Sequence, residues 1–332
     1  MCQKGECVSI MTLSIIIPYF NSSKYLHKCI EHLCSQTISD KLELIFVDDG
    51  STDDSTSVIK GILNKSNFSG KVSFLYHAEN YGVAYSRKEG IENATGDYLI
   101  FCDSDDWMED DMCEKMLSLA VSGGYDMVVC DYVNDYVDRV SYVSENCYIE
   151  PFLRNLLLCK VTGALWNKMV KRSIYFSNDF VFPSHSFCED YVYSVQFAIY
   201  CRSIAYFPEP KYHYCHRSGS IVNASSKQAI DQRIEDNLCN YQLVESILSI
   251  NGLKSRYDSE IIALKLIIKN SILNYIHQKH YYRRWLKIFP EMSKEIFQSR
   301  DIPLRSQIKY IITLLGVYPL FVKLRVAIKC QR

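Results

Sequence analysis

Three carboxylates in four residues, Asp103, Asp105 and Asp106 around Ser104, are the densest chemistry in the chain. They follow at once on Tyr98, Leu99, Ile100, Phe101 and Cys102, an uncharged run that reads as a buried parallel strand. Like charges this close raise one another's pKa unless a cation or hydrogen-bond donors sit among them. A hard divalent ion that keeps several waters and bridges to phosphate suits such a cluster. A plain turn is the competing reading, because acidic residues often cap the next helix. Glu109, Asp110 and Asp111 precede the helical pattern 112–121 and can cap it unaided. An EF-hand loop starting at Asp103 is excluded: its sixth position needs Gly and holds Met108, and its fifth holds Trp107.

The elements that must position this cluster lie upstream. Residues 13–18 (LSIIIP) read as a first strand, with Tyr19, Phe20 and Asn21 as its exit loop. Ser22 or Ser23 then caps a helix carrying Leu26, Cys29, Ile30 and Leu33 at helical spacing. Residues 43–47 form a second strand that runs into Asp48, Asp49, Gly50, Ser51 and Thr52 and a helix through Leu63. A third strand, 72–76, leads through Asn80, Tyr81 and Gly82 into a helix over 83–93, and Gly96 turns the chain into the strand before the acidic loop. Such alternation predicts right-handed crossovers and a parallel sheet, with all these loops on one edge. A dinucleotide-binding half would carry G-x-G-x-x-G after its first strand, where residues 18–23 read PYFNSS. Phosphates would therefore need a metal rather than a helix N-terminus.

With 332 residues, 48% of them hydrophobic and 23% charged, the chain can bury one large domain and a smaller appendage. Its fourteen cysteines are scattered without C-x-x-C, and no secretory signal opens the chain, so they read as reduced, buried small hydrophobes. Cys2 with Cys7 and Cys29 with Cys34 lack zinc spacing and partnering histidines. The net charge of −1 hides an asymmetry: residues 281–332 hold eleven Lys and Arg against three Asp and Glu, a balance of +8. That segment reads either as a basic amphipathic face for an anionic membrane surface or as an ordinary packing face with solvated cations. It does not read as a span, since its longest uncharged run, 310–322, has 13 residues and contains Pro319. Helical spacing in 230–250, 261–276 and 308–326 predicts three or more helices. Tyr281, Tyr282, Arg283, Arg284 and Trp285 make an aromatic and basic knot suited to lipid headgroups or nucleic acid. The acidic remainder of the chain and the lack of a nucleic-acid motif argue against a nucleic-acid partner.

Taken together, the chain resembles the family 2 glycosyltransferases, and among them the bacterial capsule and exopolysaccharide enzymes with a GT-A fold. The resemblance rests on 14–21 (SIIIPYFN), 43–51 (ELIFVDDGS), 80–82 (NYG) with Arg87, 96–106 (GDYLIFCDSDD), 166–168 (WNK) and Glu189 with Asp190, in the family's order. Cys102 departs from the family's usual aliphatic residue. The resemblance implies an α/β nucleotide-diphospho-sugar transferase fold over 11–225. It has a Rossmann-like, mostly parallel sheet with helices on both faces, a nucleotide-sugar half at about 11–130 and an acceptor half at about 131–225. A helical, basic extension over 226–332 would follow.

The implied reaction moves one sugar, with inversion, from a UDP-hexose or UDP-N-acetylhexosamine to a hydroxyl of a growing surface glycan or polyprenyl-linked oligosaccharide, assisted by Mg²⁺ or Mn²⁺. Carried onto this sequence, Pro18, Tyr19, Phe20, Asn21 and Asp49 hold the nucleoside, while Asp48 supports their loop. Asp105 is the direct metal ligand with Asp103 beside it, and Ser104 and Asp106 face the sugar or orient the site. Arg87 reaches the diphosphate or pairs with the acidic loop; Trp166 stacks on a sugar or packs; Lys168 meets phosphate. Tyr212, Tyr214, His216, Arg217 and Ser220 loosely match a stretch that closes over the diphosphate, with Arg217 carrying the charge because Cys215 replaces a basic residue. Asp190 is the general base, and one base without a carboxylate nucleophile gives single displacement. The expected setting is the cytoplasm or, peripherally, the inner face of the cell membrane. The rival readings are a nucleotidyltransferase, which would want a Gly- and Lys/Arg-rich loop after strand one, and a non-catalytic carbohydrate- or membrane-binding relative.

Overall fold

Seven consecutive buried residues form β1 (Leu13–Tyr19) in the computed structural model, which describes residues 11–145, 151–176, 178–217 and 226–330. The elements α1 (Leu26–Cys34), β2 (Leu42–Asp48), α2 (Ser55–Leu63), β3 (Lys71–Tyr76), α3 (Val83–Asn93) and β4 (Tyr98–Phe101) follow in the order the sequence pattern predicts. β1 lies between β2 and β4, and β2 beside β3, all parallel, with Leu13 opposite Leu42 on one side and Tyr98 on the other. A central strand buried on both faces requires a helix layer on each. Leu13, Ile15 and Ile17 share a core with Leu26, Cys29, Ile30 and Leu33 of α1. Ile16, on the other face, meets α3 at Gly90, where an added Cβ would lie 2.4 Å from the Ile16 side chain. Only glycine lets that helix lie so close.

Beyond β4 come β5 (Trp107–Met108), α4 (Met112–Gly123), β6 (Met127–Asp135), β7 (Val140–Val143), α5 (Phe152–Leu157), β8 (Lys168–Lys171), α6 (Ser173–Phe176), α7 (Glu189–Tyr200) and β9 (Ile204–Cys215). They extend the sheet to the order β3-β2-β1-β4-β8-β6-β9-β5, with β7 paired to β6. β8 runs antiparallel to both β4 and β6, and β9 runs parallel to β6 and antiparallel to β5. The sheet is thus parallel where βαβ units build it and mixed elsewhere. One cause is local: a tight turn closed by Tyr136 N donating to Arg139 O makes β6 and β7 a hairpin.

Two capping expectations are corrected. Neither Ser22 nor Ser23 caps α1; the Ser22 carbonyl accepts from Tyr25 and Leu26 N–H, and its hydroxyl turns to Ser104. The acidic run before α4 gives no side-chain cap either, because Asp110 bonds His32 and Asp111 bonds Lys115 and Lys211.

The chain divides into two compact units, the second made of Pro151–Val161 and Ser225–Arg332. The single boundary expected at 225 lies outside the described residues, as does Ser220. Residues 151–161 fall in the helical unit, not with the sheet, because α5 packs there. Arg154 donates to Glu260 at 2.8 Å and to Asp301 at 2.5 Å. The unit continues with α8 (Lys227–Ile250), α9 (Asp258–Asn270), α10 (Lys279–Lys287), α11 (Met292–Glu295), α12 (Leu304–Leu314) and α13 (Val317–Cys330). The pattern 308–326 is two helices, broken at Gly316, whose φ of +77° is left-handed. The aromatic and basic knot is also corrected: Tyr281 and Trp285 are buried in the helical core beside Ile262, Leu266 and Met292, and Arg284 pairs with Asp231 and Glu235. Burial lowers the Lys269 ammonium to about 8 within this core. Among the described residues, no helix is long and apolar enough to cross a membrane.

Candidate active site

The loop after β4 sets its four polar side chains on different partners. The Asp103 carboxylate accepts from Arg87 Nη2 at 2.8 Å, and its N–H donates to the Tyr212 hydroxyl at 3.1 Å. Ser104 bonds the Ser22 hydroxyl at 3.0 Å, which ties the acidic loop to the exit of β1. Asp105 pairs with Arg217 Nε, and the Arg217 guanidinium lies 4.0 Å from the Tyr25 ring centroid. Asp106 points inward, accepting from Tyr212 Oη at 2.9 Å and Cys215 N at 2.7 Å. Burial raises the Asp105 carboxyl, the Asp103 charge adds to this and Arg217 opposes it. Burial, then the charges of Asp105 and Asp103, push Asp106 well above the usual carboxylate range. Asp106 is thus fastened to β9 and 2% exposed.

Arg87 links this loop to the start of α7. Its Nη1 pairs with the buried Glu189 while Nη2 holds Asp103, so one guanidinium spans two acids. Asp190, next to Glu189, accepts from Tyr191 N at 2.8 Å. Burial raises its carboxyl, opposed by the charge of Arg87. A carboxylate poised upward in this way is a stronger base than a solvated one.

The loops that leave β1 and β2 open on the same edge of the sheet. Pro18 and Tyr19 are buried in β1, and the Tyr19 hydroxyl bonds Thr56 at 2.8 Å, so of residues 18–21 only Phe20 and Asn21 are exposed. Asn21, at φ +47°, joins two loops: its N–H donates to Ser51 Oγ and its side-chain oxygen accepts from Thr52 N–H at 2.8 Å. Asp48 accepts from Ser51 N and Thr56 Oγ at 2.8 Å, the supporting role assigned to it. Asp49 accepts from Tyr81 N and Gly82 N at 2.9 Å and bonds His77 Nδ1 at 2.8 Å, while His77 Nε2 bonds Glu89. Burial opposes a charge on His77, but the bonds to Asp49 and Glu89 outweigh it and raise its pKa above 6.5. Sequence reasoning passed over His77; its signal was its place just past β3, on the edge where the other loops open.

Lys168 and Trp166 are corrected. Lys168 is 1% exposed, and its ammonium donates to Thr162 O, Ala164 O and Asn167 Oδ1 at 2.6–2.9 Å, so it is a structural cation and not a phosphate ligand. Trp166 is buried between aromatic rings, stacked on Tyr212 at 4.4 Å and edge-on to Tyr132 at 4.8 Å, so packing wins over sugar stacking. His216 stacks on Tyr136 and bonds Asn134, away from the acidic loop's own contacts.

Acidic loop, arginine clamp and buried acid at a helix start thus stand together at the carboxyl edge of the sheet, in the family's order. Residues 14–188 match glycosyl transferase family 2. The chain belongs to that family. As a family 2 glycosyltransferase it acts in glycan biosynthesis, which removes the nucleotidyltransferase and non-catalytic readings. The glycosyltransferase EpsH of Bacillus subtilis (strain 168) is 30% identical over 75% of this chain and 72% of its own length. The S. aureus TarS fragment 1–349, solved with UDP-GlcNAc, superposes with a TM-score of 0.58 over 87% of this chain and 92% of that one, at 18% identity. The mannosyltransferase PcManGT of Pyrobaculum calidifontis, solved with GDP-Man and Mn²⁺, gives 0.50 over 87% of each chain at 14% identity. At these identities the two structures establish a shared GT-A fold.

Proposed function

We propose that this family 2 enzyme transfers one hexose or N-acetylhexosamine from a UDP-sugar to a hydroxyl of a growing surface glycan or polyprenyl-linked oligosaccharide, with inversion, in the cytoplasm. The observation that carries the reading is the half-buried Asp190 carboxyl at the start of α7, raised by desolvation and adjacent to Glu189, which Arg87 joins to the acidic loop. Asp190 takes the proton of the attacking hydroxyl, and no second carboxylate is assigned as nucleophile, so displacement is single. Phe20, Asn21 and the loop held by Asp49 bind the nucleoside. Arg217 leaves Asp105 to meet the diphosphate, and the positions of Asp103 and Ser104 are kept by Arg87 and Ser22.

Among the described residues no three His, Cys, Asp or Glu side chains form a metal cluster. Two carboxylates on one loop, Asp103 and Asp105, each countered by an arginine side chain, nevertheless fit a hard divalent cation, which they would hold. Such an ion supplies Lewis-acid stabilisation of the charge on the departing diphosphate. The TarS complex with UDP-GlcNAc supports a uridine donor, and the Mn²⁺ in PcManGT supports Mg²⁺ or Mn²⁺.

Thermal unfolding of the purified chain with UDP, GDP, CDP or TDP, each with and without Mn²⁺, tests the reading. UDP with Mn²⁺ at a hundredfold excess over its Kd should stabilise by about 2.7 kcal/mol, and Asp105→Ala should abolish the metal-dependent part. A folded protein that no diphosphate stabilises, or a shift that survives Asp105→Ala unchanged, overturns it.

A further inference from the structure

The helical unit uses only one side of α12 for its core. Tyr310 and Thr313 are buried, Tyr310 lies 5.2 Å from Trp285 between ring centroids, and the Tyr282 hydroxyl donates to the carbonyls of Thr313 and Leu314. The outer side of such a helix is ordinarily polar. Here Leu304, Ile308, Ile311 and Leu315, spaced by four, three and four, form one outward stripe, and α13 adds Leu320 and Phe321. These six side chains are 36–71% exposed. The helix therefore has two apolar sides, and the core covers only one.

Charge identifies what covers the other. From residue 302 to 332 the sequence carries six Lys and Arg and no Asp or Glu, and Arg305 of α12 and Lys323 of α13 are exposed. A second copy of this chain would set like cations against like, and a basic protein partner would find no acid in the segment. An anionic phospholipid surface meets both properties: phosphates take the cations, and the acyl boundary takes the apolar side chains to a depth of about 5–10 Å. We infer that α12 and α13 seat the enzyme on an anionic phospholipid membrane as an interfacial, non-spanning attachment. The attachment does not depend on the proposed reaction. It also narrows the basic segment 281–332 to α12 and α13, since Tyr281 and Trp285 of the knot at 281–285 are buried.

Co-sedimentation of the whole chain with vesicles of phosphatidylcholine, alone or mixed with phosphatidylglycerol, tests this. The mixed vesicles should bind roughly tenfold more tightly, and Ile308→Glu with Phe321→Glu should lose binding by a similar factor. Arg305→Gln with Lys323→Gln should weaken it by about fivefold per cation and reduce its salt sensitivity. Circular dichroism of each variant checks that it is folded. Equal binding to both vesicle types overturns the anionic preference. A folded wild-type chain that ignores vesicles, or an Ile308→Glu/Phe321→Glu variant that binds as wild type does, overturns the surface itself. A concentration-dependent dimer that this double variant abolishes, without vesicle binding, would reassign the face to contact between copies.

Discussion

The loops after β2 and β4 are both acidic, yet their carboxylates are held in different ways. Asp48 and Asp49 accept mainly from backbone N–H groups and from residues of the same nucleotide half, Thr56 and His77. Asp103 and Asp105 are held by the guanidinium groups of Arg87 and Arg217. Backbone amides cannot leave without unfolding the loop, whereas an arginine side chain can swing aside for another cation. The first loop is therefore fixed, and under the proposed function the second is the place where a ligand would exchange for protein. Burial refines the contrast within the second loop: the Arg87 and Glu189 side chains are both 6% exposed, and the Arg217 side chain is 30% exposed. Arg87 is the permanent clamp and Arg217 the removable one.

The largest effect should come from chemistry placed beside the permanent clamp. Asp190→Asn should lower turnover by about two to four orders of magnitude while leaving UDP binding in place, read as product formed against the thermal shift. Normal turnover in this variant would remove Asp190 as the base. Next, the clamps should differ in stability. Arg87→Met leaves Glu189 buried without its partner and should cost about 3–5 kcal/mol in urea unfolding. Arg217→Gln should cost less than about 1 kcal/mol, because its pair is partly solvated. Equal costs would end the distinction between the clamps. The smallest effect belongs to the fixed loop. The charge on His77 stabilises fully below its ordinary pKa of 6.5 and loses that contribution as pH rises through the raised folded value. The stability difference between wild type and His77→Gln should accordingly shrink as pH climbs above 6.5, and a constant difference would show that His77 carries no charge.

The sheet half was legible because its strands are uninterrupted apolar runs and its turns carry Gly, Asn, Asp and Ser at fixed places; the helix over 83–93 matches α3 residue for residue. The acidic loop and the Glu189 and Asp190 pair were legible for the same reason, since charge at a strand or helix end is visible in one dimension. Lys168, Trp166, Tyr281 and Trp285 were misread because amphipathic side chains go where their partners are, and those partners lie elsewhere in the chain. Three oxygen acceptors draw Lys168 inward, and stacked rings draw in Trp166. The mixed part of the sheet was hidden because two- and four-residue strands such as β5, β7 and β8 leave almost no periodic signal.

Protein synthesis delivers the parts of this site out of step. Glu189, Tyr212 and Arg217 leave the ribosome 102, 106 and 112 residues after the groups they hold, Arg87, Asp106 and Asp105. A nascent chain that ends before β9 carries the acidic triplet with its charges unanswered on that side. The acidic loop consequently reaches its final form only when β9 enters the sheet, so no amino-terminal fragment lacking that strand can hold Asp106 in its finished place.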